Sequence, residues 1–230
     1  MNHCYLCGYY THDEPNYVRC PNCGLVKSIH PTDYDLNKYT DKYRGLFGTD
    51  MEVRININRV AEVMRWLPTN SMVLDYGCSC GNFLSRLEQF GYICAGYEPC
   101  EGSIKRKTCE ADIISDTKYI SGKFDMVTMF DVFEHFETPR KTFALIDSHI
   151  RDGGYVLIST PNPKYVANPA TWYHFWPGEH IYFWTPVALT MFMKEFGYLP
   201  VEENYREGIL RKNDVTRDVL LTMVFKKTCK

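Results

Sequence analysis

From about residue 51 onward, the hydrophobic positions switch repeatedly between helical and strand spacing. Val53, Ile57, Val60, Val63, Met64 and Leu67 fall on one helical face, and Pro68 predicts the stop. Met72-Val73-Leu74-Asp75 is a short apolar strand. Phe83, Leu84, Leu87 and Phe90 recur at helical spacing, with Gly91 as terminator. Tyr92 to Tyr97 reads as a second strand, Cys109 to Ile114 as a weaker third, and Phe124 to Phe130 as a fourth. Phe143, Leu145, Ile146 and Ile150 predict another helix, ended by Gly153-Gly154, and Tyr155 to Ser159 a fifth strand. Thr185-Pro186 places a cap residue before a proline at the first helical position, and that helix runs to Gly197. Two β-rich segments follow, near 199–206 and 217–226. This alternation predicts an α/β sheet with helices on both faces.

The first fifty residues break the pattern. Residues 1–30 are rich in Cys, Tyr, His and Pro, and residues 31–50 form a polar, Tyr-rich connector before the domain of 51–230. Cys4-x-x-Cys7 is followed after twelve residues by Cys20-x-x-Cys23. Each pair turns two thiolates toward one point, and Gly8 and Gly24 supply the turn beyond each pair. The spacing predicts a closed, four-sulfur structural zinc knuckle whose metal supplies folding energy to a piece too small for its own core. His3 and His12 are not needed as ligands.

The composition narrows the class. In 230 residues, 45% are hydrophobic and 23% charged, enough apolar material for a full core. The net charge of −2 argues against a phosphate-binding surface, which needs a basic surplus. Lys105-Arg106-Lys107, Arg211-Lys212 and Lys226-Lys227 are short and read as solvated element ends. No run of about 18 apolar residues suits a membrane helix, and Met1-Asn2-His3-Cys4 has no basic-then-apolar leader. A cytoplasmic protein with its ten cysteines reduced is the expectation, acting on a small-molecule substrate, with no membrane as partner and nucleic acid disfavoured. Its oligomeric state stays open.

The most informative segment is Val73-Leu74-Asp75-Tyr76-Gly77-Cys78-Ser79-Cys80-Gly81-Asn82-Phe83-Leu84. A buried strand runs through a glycine turn into a helix. Gly77 and Gly81 let backbone approach a ligand with no Cβ between, and the helix offers unpaired N–H groups. Glu98 ends the second strand, seventeen residues beyond Gly81. A carboxylate there suits the two ribose hydroxyls of a nucleoside.

This pattern resembles motif I of class I methyltransferases that use S-adenosylmethionine (SAM), over roughly residues 51–226. Ser79 departs from it, standing where the family usually has Gly. The resemblance implies a Rossmann-like, seven-stranded class I methyltransferase sheet. It implies that Asp75, Gly77 and Gly81 line the methionine part of SAM, that Glu98 takes the ribose, and that Asp112 lies near the adenine. A dinucleotide-binding oxidoreductase would instead want Gly-x-Gly-x-x-Gly.

Phe124-Asp125 followed by Asp131-Val132-Phe133-Glu134-His135 resembles the Phe-Asp…Asp-x-x-Glu-His motif of small-molecule methyltransferases of the ubiquinone-biosynthesis and sugar-methylating kind. Phe130 and Asp131 should then sit near SAM, with His135 as a base or a positioning group. A long loop from Pro161 to His180 carries Trp172, Tyr173, His174, Phe175 and Trp176. Loops of this length often form lids. Glu179-His180 is similar to the Glu-His pair of sugar C-methyltransferases, which implies His180 as base and Glu179 as the residue orienting it. The connector tyrosines Tyr34, Tyr39 and Tyr43 resemble tyrosines that reach the active site in those sugar enzymes.

The expectation is a SAM-dependent methyltransferase acting on a small molecule, possibly a sugar nucleotide, at carbon or oxygen. Two alternatives stay open: a zinc-knuckle methyltransferase of RNA or other nucleic acid, and a non-catalytic SAM-binding protein.

Overall fold

The protein is described by a computed structural model covering residues 2–30, 48–211 and 220–228. Its centre is a seven-stranded sheet in the order β10-β11-β8-β7-β4-β5-β6. The strands are β4 (Met72–Tyr76), β5 (Ile93–Tyr97), β6 (Asp112–Ile114), β7 (Phe124–Phe130), β8 (Ile150–Pro161), β10 (Tyr198–Asn204) and β11 (Leu220–Lys227). Neighbours from β6 through β8 are parallel, and β11 runs antiparallel to both β8 and β10. The near-continuous apolar character of β4 and β7 follows from burial on both faces. The helices are α1 (Asp50–Met64), α2 (Asn82–Gln89), α3 (Glu101–Ile104), α4 (Pro139–Asp147), α5 (Pro186–Glu195) and α6 (Arg206–Arg211).

The chain leaves β4 toward β5 and β6, then returns to the other side of β4 as β7. Strand order reverses at this point, which opens a crevice at the carboxyl ends of β4 and β7. Beneath the crevice, Phe133, Phe143, Trp184, Phe192 and Tyr198 are fully buried in one cluster. Each such side chain contributes roughly 1.5–3 kcal/mol of burial, so the crevice floor is rigid.

A second sheet of four strands has the order β1-β2-β3-β9. It joins β1 (His12–Asp13), β2 (Tyr17–Arg19) and β3 (Val26–Ser28) to β9 (Tyr182–Phe183), far along the chain. Cys4, Cys20, Cys23 and Leu25 pack into the main core. Arg140 stacks 4.2 Å from the Tyr5 ring and donates to the Tyr5 carbonyl oxygen at 3.0 Å. The N-terminal knuckle is therefore built into the larger domain through β9.

Several local expectations need correction. Gly153-Gly154 does not end a helix. α4 stops at Asp147, and both glycines lie inside β8, where the pairing with β7 shifts register. A Cβ at Gly154 would meet the Arg151 carbonyl oxygen at 2.9 Å, and Gly153 has φ 73°, so this bulge favours glycine. Ile57 and Met64 face solvent, while Ile55, Asn56 and Glu62 are buried with Val60 and Val63. The expected apolar face therefore holds at Val60, Val63 and Leu67 but not at Ile57 and Met64, because α1 turns Asn56 and Glu62 inward beside them. Helices α3 and α6 were not expected. Tyr34, Tyr39 and Tyr43 lie outside the described residues. Among the described residues, no helix is long and apolar enough to cross a membrane.

Candidate functional site

The crevice holds a cavity of about 320 Å³. Its near wall is the turn after β4. Asp75 ends that strand almost fully buried, and its Oδ1 accepts from Thr128 Oγ1 at 2.7 Å. Burial pushes its carboxyl up to about 6, against the pull of Thr128 and Arg59. Gly77 has φ 88°, and a Cβ there would collide with Val132 Cγ2. The Gly77 and Cys78 N–H groups both donate to the Tyr97 carbonyl oxygen, at 2.7 and 3.0 Å, which ties the turn to β5. Ser79 adopts φ 51°, the left-handed conformation that explains why glycine is the commoner residue at this place.

Three expected cofactor residues lie outside this lining. Gly81 caps α2 with φ 85°, and a Cβ there would run into Cys109 Sγ, so its absence serves packing. Glu98 borders an adjacent cavity of about 260 Å³, together with Tyr76, Gly77 and Asp131. Its carboxylate accepts from Ser79 N at 2.9 Å and Cys100 N at 2.8 Å, so it braces the glycine turn from behind. Asp112 is exposed at the start of β6.

The remaining walls come from α1, the ends of β7 and β8, the loop before β9, and α6. Glu52, Asn56 and Arg59 follow one another at i, i+4 and i+7, hence on one face of α1. Glu52 Oε1 accepts from Asn56 Nδ2 at 2.6 Å and from Asn82 Nδ2 at 2.8 Å, joining α1 to α2. Arg59 lies 4.2 Å from the Phe130 ring and makes a two-pronged pair with Glu207, at 2.6 and 3.1 Å. Asp131, in the left-handed region at φ 56°, pairs with Arg59 at 3.2 Å and with Arg211. Loss of water alone would raise Asp131, but Arg211 and Arg59 outweigh it and hold the carboxyl at about 2.

The far end carries the histidines. Glu134 and His135 sit on a short 3₁₀ turn after β7, and His180 ends the aromatic loop. The Ile181 N–H donates to the Glu134 carbonyl oxygen at 2.8 Å, locking loop to turn. The two imidazole rings are 4.7 Å apart, edge to face, and Trp176 lies 4.7 Å from His180 on its other side. His180 Nδ1 is 2.7 Å from the His174 carbonyl oxygen, and His135 Nδ1 is 2.9 Å from that of Glu179. His180 Nδ1 is thus held by the His174 main chain and His135 Nδ1 by the Glu179 main chain. Burial and the neighbouring His135 hold His180 down to about 3, a neutral imidazole at any ordinary pH. Glu134 is fully buried, which raises its carboxyl to about 8.

Away from the crevice, Cys4, Cys7, Cys20 and Cys23 converge, with all four sulfurs within 4.8 Å of one another. Cys4 and Cys23 are 3.7 Å apart and Cys7 and Cys20 3.5 Å. The N–H groups of Leu6 and Cys23 point at Cys4 and Cys20 sulfurs, at 3.4 and 3.5 Å.

Sequence reading missed Glu52, Asn56, Arg59, His174 and Arg211, and gave Glu134 no role. The i, i+4, i+7 spacing of the first three was the available signal. Arg211 reaches the cavity only through a fold-back after β10 that no local pattern announced.

A parallel sheet reversing between β4 and β7, with a glycine turn and an acidic strand end at the switch point, defines the class I methyltransferase fold. Solved structures agree. The chain is similar to magnesium protoporphyrin IX methyltransferase from Synechocystis PCC 6803 with bound SAH, at 17% identity and a TM-score of 0.64, over 85% of this chain and 97% of that one. It is also similar to 1,6-didemethyltoxoflavin-N1-methyltransferase from Burkholderia thailandensis, at 16% identity and 0.60, over 95% and 99%. Ubiquinone biosynthesis O-methyltransferase of Thiobacillus denitrificans is 27% identical over 116 residues, 43% of this chain and 50% of that relative. The chain thus matches about half the length of that curated relative. Residues 49–203 match the methyltransferase domain family, and the chain belongs to it.

Proposed function

We propose that this chain transfers the methyl group of SAM to a small-molecule acceptor held under the 162–180 loop. The observation that carries this reading is the single cavity running from Asp75 and the glycine turn to His135, His180, Tyr173 and Trp176. In this reading Asp75, Gly77 and Gly81 shape the place of the methionine part, Phe130 and Asp131 flank it, Glu98 turns to the ribose, and Asp112 marks the adenine end. The methyl group is already activated on sulfonium, so the protein supplies alignment and exclusion of water. Alignment of this kind can lower a barrier by roughly 7–11 kcal/mol.

The acceptor's proton must also leave. The carbonyl oxygens beside both Nδ1 atoms can only accept, so the protons sit there and Nε2 is the lone-pair nitrogen of each ring. His180, assisted by His135, is the base of this reading, with the Glu179 side chain a further candidate. Aromatic faces at Tyr173 and Trp176 suit the flat or ring-shaped face of an acceptor, a sugar nucleotide among them. The neighbour named for 1,6-didemethyltoxoflavin and the relative named for ubiquinone biosynthesis are likewise small-molecule methyltransferases. The four cysteines fit Zn²⁺. A tetrahedral ion with bonds of about 2.3 Å holds sulfurs about 3.8 Å apart, close to the two separations given above. That ion would be structural, and it would steady β3 and, through it, β9.

The test is methyl transfer from labelled SAM to a panel of nucleotide sugars and phenols, with mass detection of product. His180→Ala should lower kcat by about 10²–10⁴, and unchanged turnover would remove the base. Bound SAM without product on any acceptor would leave a binding protein. Uptake of polyanions that weakens steeply with salt would move the acceptor to nucleic acid.

A further inference from the structure

The acceptor end of the cavity contains a second convergence of ligand atoms. A carboxylate oxygen of Glu134 and one ring nitrogen each from His135 and His180 lie within 4.8 Å of one another. All three residues line the cavity. Glu134 is 0% exposed, and its Oε2 accepts from Thr160 Oγ1 at 2.8 Å. Its Oε1 is buried with no hydrogen-bond partner. Leaving such an atom unsatisfied is unfavourable, and a bound cation would relieve that cost.

The histidines are prepared in the same sense. Each is held through Nδ1 by a main-chain carbonyl oxygen, His174 for His180 and Glu179 for His135. One tautomer is thereby selected for both rings, with the lone pair on Nε2. Metal-bound imidazoles carry this support, the far N–H donated to a carbonyl or carboxylate that fixes ring orientation. Two imidazoles and one carboxyl group, close together and lining one cavity, make a three-ligand set with positions left for small molecules.

We propose that Glu134, His135 and His180 bind a divalent first-row metal cation, such as Zn²⁺, Mn²⁺, Fe²⁺ or Co²⁺, whose open positions take an oxygen of the methyl acceptor. The acceptor class is then a hydroxyl, phenol or enol. The role at the acceptor rests on the methyl-transfer reading, whereas the binding of the ion does not. In the step itself, the ion lowers the pKa of the acceptor O–H, whose proton passes to water. An oxygen lone pair forms the O–CH₃ bond, and the S–CH₃ bonding pair returns to sulfur, giving S-adenosylhomocysteine. No electron is gained or lost by the ion. The ion replaces the direct base, so His180 becomes a ligand.

Manganese separates this site from the four cysteines, because Mn²⁺ favours oxygen and nitrogen over thiolate. The full chain, with zinc kept in the cysteine site, is titrated with Mn²⁺ and followed by electron paramagnetic resonance. The expected result is one Mn²⁺ per chain, with the dissociation constant raised tenfold or more in Glu134→Gln and in His180→Ala. Exposed Glu110→Ala should bind as the unaltered chain does. Total metal analysis after dialysis against Zn²⁺ should give two ions per chain, falling to one in Glu134→Gln. The unaltered chain decides the matter even if a variant misfolds. Failure of Mn²⁺, Co²⁺ and Zn²⁺ to bind beyond the cysteine equivalent overturns the site. If methyl transfer then persists, the base reading stands alone. A second ion without transfer to any acceptor supports the site and overturns the methyl-transfer reading.

Discussion

Gly77 offers a sharp test of how the turn after β4 is held. At φ 88° any Cβ is strained, and the position it would take overlaps Val132 Cγ2. Left-handed backbone costs a non-glycine residue about 1–2 kcal/mol, and forcing a methyl into occupied space adds about 1–3 kcal/mol. Gly77→Ala should therefore cost roughly 2–5 kcal/mol. In a chain of this size, that lowers Tm by roughly 2–4 °C for each kcal/mol. The overlap involves the tip of a partly buried side chain, so Val132→Ala removes it. Alone, Val132→Ala should cost about 1 kcal/mol for the lost methyls. The double variant should keep the backbone strain and lose the collision, so the two changes couple favourably by about 1–3 kcal/mol. Denaturant unfolding of the four proteins of the cycle measures this, and SAM affinity should follow the same order, because Gly77 borders both cavities. Strict additivity of the two losses would refute the close-contact argument and leave the φ angle as the whole reason for glycine.

Three further outcomes are expected. The Asp75 carboxyl, raised to about 6 by burial, should bind the cationic methionine end as carboxylate, so SAM affinity should rise about tenfold from pH 5 to 7; calorimetric titration of Asp75→Asn should show no such rise. Asp131 is held at about 2, below its ordinary 3.8. A lowered carboxyl adds stability above the unfolded pKa and loses it as pH falls through the folded one. The contribution, about 2 kcal/mol, should vanish between pH 4 and 2, and Asp131→Asn should lack that slope in denaturant midpoints. With Zn²⁺ held by the four cysteines as proposed, Cys20→Ser should abolish its binding and lower Tm by several degrees, seen by metal analysis and calorimetry. It should also weaken catalysis, because β3 pairs with β9 two residues beyond His180; full activity after zinc loss would show that the knuckle does not support the loop.

The legible part of this protein is the part written in nearest neighbours along the chain. β4, β5 and β7 were found within a residue or so of their ends; β4 and β7 are buried on both faces, so each is a run of apolar side chains bounded by turns. The four cysteines were legible for the same local reason. What failed was any feature set by a distant partner. β8 begins five residues before the expected Tyr155, because its first residues pair with β7 around a glycine bulge rather than by apolar pattern. Phe90 has a helical spacing but lies past the end of α2, half exposed.

The candidate site divides along the same line. The turn 75–81 and the motif 131–135 are local strings, and both reach the cavity. Arg59 comes from α1, Glu207 and Arg211 from α6, and they acquire meaning only as one network around Asp131. A lone Arg on a helix reads as a solvated charge, and these reside in the wall because each carboxylate nearby compensates the loss of water. The same reasoning explains why Glu134, though part of a recognised motif, had no role assigned from the sequence. Its chemistry depends on Thr160 across the sheet and on His180 from the loop, and neither is near it in the sequence. Buried polar residues of this kind have no signature of period 2 or 3.6. Their signature is an excess of polar positions on a face that the apolar pattern assigns to the core, as Glu52, Asn56 and Arg59 display on α1. An α1 face that is both inward and polar implies a cavity behind it, and only the fold shows which face turns inward.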